Sequence, residues 1–126
     1  MSATTAMTMT MTMMKQAAKI GSAQLTDWGP VGLPQGQPVS HLRGREIAAS
    51  PDKKVESGVW ECSPGVWRRQ VKKAEFCHFV AGRCAFIHDD GTRIDIEAGD
   101  SIFFPANSNG IWDVKDTVRK VYIVFE

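Results

Sequence analysis

The sequence predicts an all-β domain, a sandwich or a barrel, and three observations predict it. Short apolar-rich runs recur from Val39 onward at intervals of about 8–12 residues. Turn chemistry separates them, at "SPG", "DDG", "AGD" and "ANSNG". No stretch carries the apolar period of an amphipathic helix.

The elements can be justified in chain order. "MSATTAMTMTMTMM" (Met1–Met14) holds all six methionines, five threonines and no charge. It lacks the positive n-region and branched apolar core of a secretory signal. Residues 1–24 read as a low-complexity tail, disordered by default unless a neighbouring subunit orders it. A start of translation at Met13 or Met14 would explain it mundanely. A single domain follows over 25–126, opening with extended coil at "GPVGLPQGQP" (Gly29–Pro38). "VSHLRGREI" is a first strand and "SPDKKVESG" (Ser50–Gly58) a polar loop. The barrel core then spans 58–125, with strands "VWEC", "VWRRQV", "EFCHFV", "CAFIH", "TRIDIE", "SIFFP", "IWDV" and "VRKVYIVF". "AGR" and "KDT" read as connections, and "DDG" as a hairpin turn because Gly tolerates positive φ. "SIFFP" and "VYIVF" are near-continuous apolar runs, which reads as burial on both faces.

Composition narrows the function classes. With 43% apolar residues, 23% charged and a net charge of +1, the chain lacks the clustered basic excess of a nucleic-acid binder. "WRRQVKK" (Trp67–Lys73) is the one basic cluster; it reads as a solvated strand face, with an anion site as the functional alternative. No apolar run approaches the ~20 residues of a membrane-spanning helix. Cys62, Cys77 and Cys84 form an odd set without a Cys-x-x-Cys pair, which suits free, buried thiols in a reducing cytoplasm.

Two motifs give a resemblance. Glu75 and Gly82 frame "EFCHFVAG", and Gly99 and Pro105 frame "GDSIFFP". In both spacing and order they resemble the two motifs of the cupin superfamily, whose members fold as double-stranded β-helix (jelly-roll) barrels. The Gly-Val-Trp elements and "GIW" (Gly110–Trp112) further resemble the small single-domain RmlC-like cupins of the DUF861 type, related to ethanolamine-utilisation and ureidoglycine aminohydrolase cupins. Many of these have no assigned activity. The resemblance implies a jelly-roll cupin barrel preceded by an extended N-terminal segment.

The same resemblance exposes departures. A metal-binding cupin carries a His-x-His pair shortly before the motif Glu, where this chain reads Arg68, Arg69, Gln70 and Val71. The histidine expected after the second motif is Gly110. Of the usual ligands only Glu75 remains. Strand alternation places Glu75, Cys77 and Phe79 on one face and His78 on the other. His88 sits at the DDG turn and His41 precedes the barrel. Glu75 and Cys77 with Cys62 or Cys84 are the one alternative set for zinc. The expectation is no metal and no cofactor.

The barrel pocket is then the candidate site. An inward Glu75 needs a cation or a proton, and Arg69 or Lys120 is the natural partner. Glu75 is the candidate catalytic group. Trp60, Arg69, Cys77, Trp112, Lys120 and Tyr122 are the candidate ligand-binding residues, with Trp67 as an alternative to Arg69. Asn107 and Asn109 read equally as ligand contacts or turn formers.

Three functions are compatible with this. The first is metal-independent binding of a small polar metabolite. The second is a metal-independent isomerase, lyase or aminohydrolase-like enzyme using Glu75 as general acid or base. The third is a non-catalytic dimeric interaction module. The expected partners are a small molecule and a second copy, neither nucleic acid nor membrane. Sheet edges need cover, and Leu25–Leu42 is the element expected to lie across the partner.

Overall fold

The structure, a computed structural model, describes residues 9–126. It contains strands β1 (Thr26–Pro30), β2 (His41–Ala49), β3 (Val55–Cys62), β4 (Gly65–Val71), β5 (Ala74–His88), β6 (Arg93–Glu97), β7 (Ser101–Phe104) and β8 (Ser108–Phe125). All their pairings are antiparallel. Among the described residues helix is confined to two 3-10 turns, Ala17–Lys19 and Ser22–Gln24, and no helix is long and apolar enough to cross a membrane.

Two long strands organise the molecule. The first half of β5 pairs with β7 and with the far half of β8; its second half pairs with β6 and the near half of β8. β3 flanks the far half of β8 and β4 the near half. The chain thus builds two sheet faces joined through β5 and β8, the all-β jelly-roll barrel that the motifs implied. Between the faces lie Cys62, Cys77, Phe79, Cys84, Phe86, Ile96, Phe104, Trp112, Val114 and Val118.

The expected "AGR" and "KDT" connections are not turns. β5 and β8 continue through them, and the pairing register slips between Phe79 and Ala81 and again between Ala81 and Cys84. Gly82 explains the slip. It adopts φ +85°, and a Cβ there would lie 2.1 Å from the Thr117 carbonyl oxygen. A glycine inside a strand marks a bulge where backbones approach closely, so this residue makes a corner, not an end. "DDG" does turn, with Gly91 at φ +95° and the Gly91 N–H donating to the His88 carbonyl at 2.9 Å.

"SIFFP" and "VYIVF" are buried on one face only. Phe103 is 54% exposed and Ile123 37%; both lie laterally beside Phe76, 47% exposed, on adjacent strands. Apolar content alone had suggested two-sided burial; alternation decides it, and the outward residues form an apolar patch. Leu25–Leu42 lies along its own chain: β1 pairs with β2, and the Arg68 and Gln35 N–H groups bond to the Leu33 and Val66 carbonyls. His41 belongs to β2 and is therefore part of the sheet. Of the tail, residues 1–8 lie outside the described residues. Residues 9–24 are largely exposed, yet their end is held down. Arg119 donates to the Ala17 and Ile20 carbonyls, and the Ser22 hydroxyl donates to Glu61.

Candidate functional site

Strand alternation delivers the charged residues to the interior. On β4, Trp67, Arg69 and Val71 share the inner face; on β8, Lys120, Tyr122 and Val124 do. Glu75 opens β5 beside them. All three charged groups are buried, at 4–5% side-chain exposure. Arg69 Nη2 donates to Glu75 Oε1. Lys120 Nζ sits 2.7 Å from Glu75 Oε2, an ion pair by distance without the alignment of a hydrogen bond. The expectation of one cationic partner for Glu75 is thus exceeded: both candidates pair with it.

Aromatic rings enclose the triad. Arg69 Cζ lies 4.3 Å from the Phe104 ring centroid, and Lys120 Nζ lies 4.4 Å from that of Trp60. Trp60 packs on Trp67 and Trp112, at centroid distances of 6.5 and 5.9 Å. Ring faces carry negative charge density, so these contacts soften the burial of two cations by about 0.5–2 kcal/mol each. Burial remains the largest influence on Arg69 and pulls its guanidinium below the usual range.

A cavity of about 260 Å³ opens on this triad, lined by Trp60, Trp67, Arg69, Glu75, Trp112, Lys120 and Tyr122, with Gln70, Val71 and Val124. Six of the seven expected site residues therefore converge: Glu75, Trp60, Arg69, Trp112, Lys120 and Tyr122. Cys77 does not line the cavity. It is two residues along β5, roughly 6–7 Å deeper, 1% exposed in the core, with its thiol 3.8 Å from the Ile102 carbonyl. Parity placed it correctly inward; depth along the strand removes it from the pocket. Val71 and Val124 carried the same parity signal as Arg69 and Tyr122 and could have been found. Gln70, exposed at the rim, offered none. A larger groove of about 480 Å³, around Arg83, Arg93, Asp95 and Lys115, has exposed salt-bridged walls and none of the buried charge.

The residues do not fit the metal that many cupins hold. Among the described residues no three His, Cys, Asp or Glu side chains converge as a ligand set. A transition-metal site needs three or four such donors. Arg69 and Lys120 occupy the space beside Glu75 with positive charges of their own. Gly110, at the position of the missing histidine, has no room for any side chain: a Cβ would meet the Ile87 carbonyl oxygen at 2.2 Å. Burial pushes the thiols of Cys62 and Cys77 up to about 11 and that of Cys84 to about 12, which favours neutral thiols over the thiolates zinc binds. The histidines lie elsewhere. His78 faces outward to Ser101, His88 pairs with Asp90 at the turn, and His41 pairs with Asp27. Asn107 takes φ +63° as a turn residue, and Asn109 accepts the Val71 N–H at 3.1 Å.

Comparison with known proteins places the chain. No curated protein matches it significantly. Among solved structures, a DUF861 protein of unknown function from Pseudomonas syringae pv. tomato superposes with a TM-score of 0.71 at 23% identity, over 79% of this chain and 43% of that one. The chain thus spans less than half of that protein's length. The EutQ protein of Clostridium difficile gives 0.61 at 19% identity over 75% of this chain and 80% of its own. A DUF861 protein of Thermotoga maritima gives 0.52 at 30% identity over 53% and 76%. These likenesses carry the cupin fold. The model of the EutQ-like cupin domain matches residues 49–122, more than half of the sequence, and the chain belongs to that family.

Proposed function

We propose that the barrel binds a small polar metabolite and does so without a metal ion. The observation that carries this reading is the Arg69–Glu75–Lys120 triad, buried yet lining a cavity walled by Trp60, Trp67 and Trp112. Sites for small molecules combine apolar, aromatic walls with a few polar groups that fix orientation. The buried free thiols suit a reducing cytoplasm.

Tryptophan fluorescence tests the reading, since three indoles line the cavity. Saturable ligand-induced change that survives a strong chelator and is abolished by the pocket-filling variant Val124→Trp supports it. Binding that disappears with the chelator overturns it. An enzyme using Glu75 as acid or base is the alternative, less favoured because both carboxylate oxygens already face cations. Glu75→Gln, assayed where it remains folded, separates the two: an enzyme loses turnover on a bound ligand, whereas a binder shows a change in affinity and has no turnover to lose.

A dimer is the second proposal, and one observation favours it. Phe76, Phe103 and Ile123 make a row of exposed apolar side chains across β5, β7 and β8, with Phe125 packed on Phe103 at 6.4 Å. Such patches mark interaction surfaces. Light scattering of the wild type should give twice the chain mass, and Phe103→Asp the chain mass. A monomeric wild type removes the proposal.

A further inference from the structure

The pocket holds more positive charge than its own chain neutralises. Arg69 and Lys120 share one carboxylate, and no other charged side chain lines the cavity. The other ionisable groups nearby do not balance the count. Burial pushes the Tyr122 phenol up to about 12 and the Cys77 thiol up to about 11, so both are neutral. Glu46 and Glu56 also raise the Tyr122 phenol, but neither lines the cavity; Glu46 is exposed and Glu56 half-buried, where solvent and salt screen them. The other buried acid, Glu61, has its own cation in Arg119. One positive charge is left over.

Arg69 adds an unmet donor. Its side chain is 5% exposed and its Nη2 is engaged by Glu75, but the buried Nη1 has no partner among the described residues. A guanidinium presents its N–H groups as a rigid fork that matches a carboxylate. Phe104 and Trp60 beneath the two cations soften their burial but supply no counter-charge. The remaining walls are mainly aromatic and aliphatic, with the Gln70 amide, the Tyr122 hydroxyl and the unpartnered Trp67 indole N–H as their uncharged polar groups. The volume of about 260 Å³ is less than the roughly 300–1,000 Å³ of pockets for drug-sized ligands.

Resting on the small-molecule reading above, we infer that the occupant is a small monocarboxylate with a compact apolar body. Its carboxylate meets Lys120 and reaches the buried Arg69 Nη1 through a shift of that guanidinium toward the cavity, and its body lies against Trp60, Trp67 and Trp112. The ligand's charge completes what Glu75 leaves unbalanced. The inference excludes amines, which would add a third cation to the site.

The test is a fluorescence or calorimetric titration of the full chain with benzoate, benzamide, benzylamine and inorganic phosphate. The first three share a ring and differ in head-group charge; phosphate is an anion without an apolar body. Benzoate should bind about tenfold or more tighter than each of the others, the difference expected of a charge-assisted hydrogen bond. Lys120→Met should weaken benzoate about tenfold or more and leave benzamide within about twofold. Benzamide or benzylamine binding as well as benzoate overturns the inference while leaving the small-molecule reading intact. Phosphate binding more tightly than benzoate overturns the apolar body. No binding by any of the four counts against the inference and the underlying reading together. Should Lys120→Met fail to fold, the wild-type series decides alone.

Discussion

Two buried ion clusters are joined through adjacent residues of β8, Lys120 in one and Arg119 in the other, and they behave as opposites. Trp60 faces Lys120 and Glu61 faces Arg119 in the β3–β8 register. Alternation sends the first row inward and the second outward. On the outer side, Glu61 accepts the Ser22 hydroxyl at 2.6 and 2.7 Å and faces Arg119 at 3.3 Å. Arg119 spends its other nitrogen on the Ala17 and Ile20 carbonyls at 3.1 and 2.5 Å. One charge meets one charge, and the N-terminal segment closes over them. On the inner side two cations meet one carboxylate, a guanidinium nitrogen is unpartnered, and a cavity stands open. Saturation, not burial, separates a structural ion pair from a site that still lacks something.

The largest effect expected from breaking this contrast is at Glu75. Glu75→Gln leaves two buried cations without a carboxylate and should lower stability by about 3–5 kcal/mol in urea unfolding. Glu61→Gln should cost less, about 1–3 kcal/mol, because Arg119 keeps two carbonyl acceptors. It should also speed amide exchange around Ala17–Gln24. Equal costs at the two sites would erase the distinction. Gly110→Ala forces a methyl group against the Ile87 carbonyl and should cost about 1–3 kcal/mol through overpacking. Ser22→Ala removes one hydroxyl from Glu61 and should cost about 1 kcal/mol, leaving pocket fluorescence unchanged.

A pH trend is the gentlest test. Burial raises the Cys62 and Cys77 thiols from about 9 to about 11, so the folded chain keeps protons that the unfolded chain releases. By linkage their contribution to stability is fully present below about pH 9 and is lost as pH rises toward 11. Unfolding midpoints that fall above pH 9 in the wild type, and less steeply in Cys77→Ala, are expected. Thiols reacting fully with a disulfide reagent at pH 8 in the folded chain would contradict their burial.

The fold was legible because its signals are local. Turn residues and strand alternation act within a few positions, and the Gly99–Pro105 spacing runs from a turn through one short strand. The inward faces of β4 and β8 were equally readable, since parity needs only neighbours in sequence. What stayed hidden is set by distance through space. Nothing local distinguishes a Gly82 bulge from a turn, because the deciding contact is Thr117, far along the chain. Parity gave Cys77 its face but not its depth. The exposed Phe103 and Ile123 looked like core because an apolar side chain carries no mark of what covers it. The shared pairing of Glu75 with both Arg69 and Lys120 required β4, β5 and β8 to converge, which only the folded barrel shows.

Metal analysis of the purified chain, prepared without chelator from metal-supplemented medium, tests the central claim most directly. A pocket whose positive charge comes from Arg69 and Lys120 predicts transition metal far below one equivalent and a thermal midpoint indifferent to chelator. One equivalent of zinc, iron or manganese, removed by chelator with a fall in that midpoint, would contradict it.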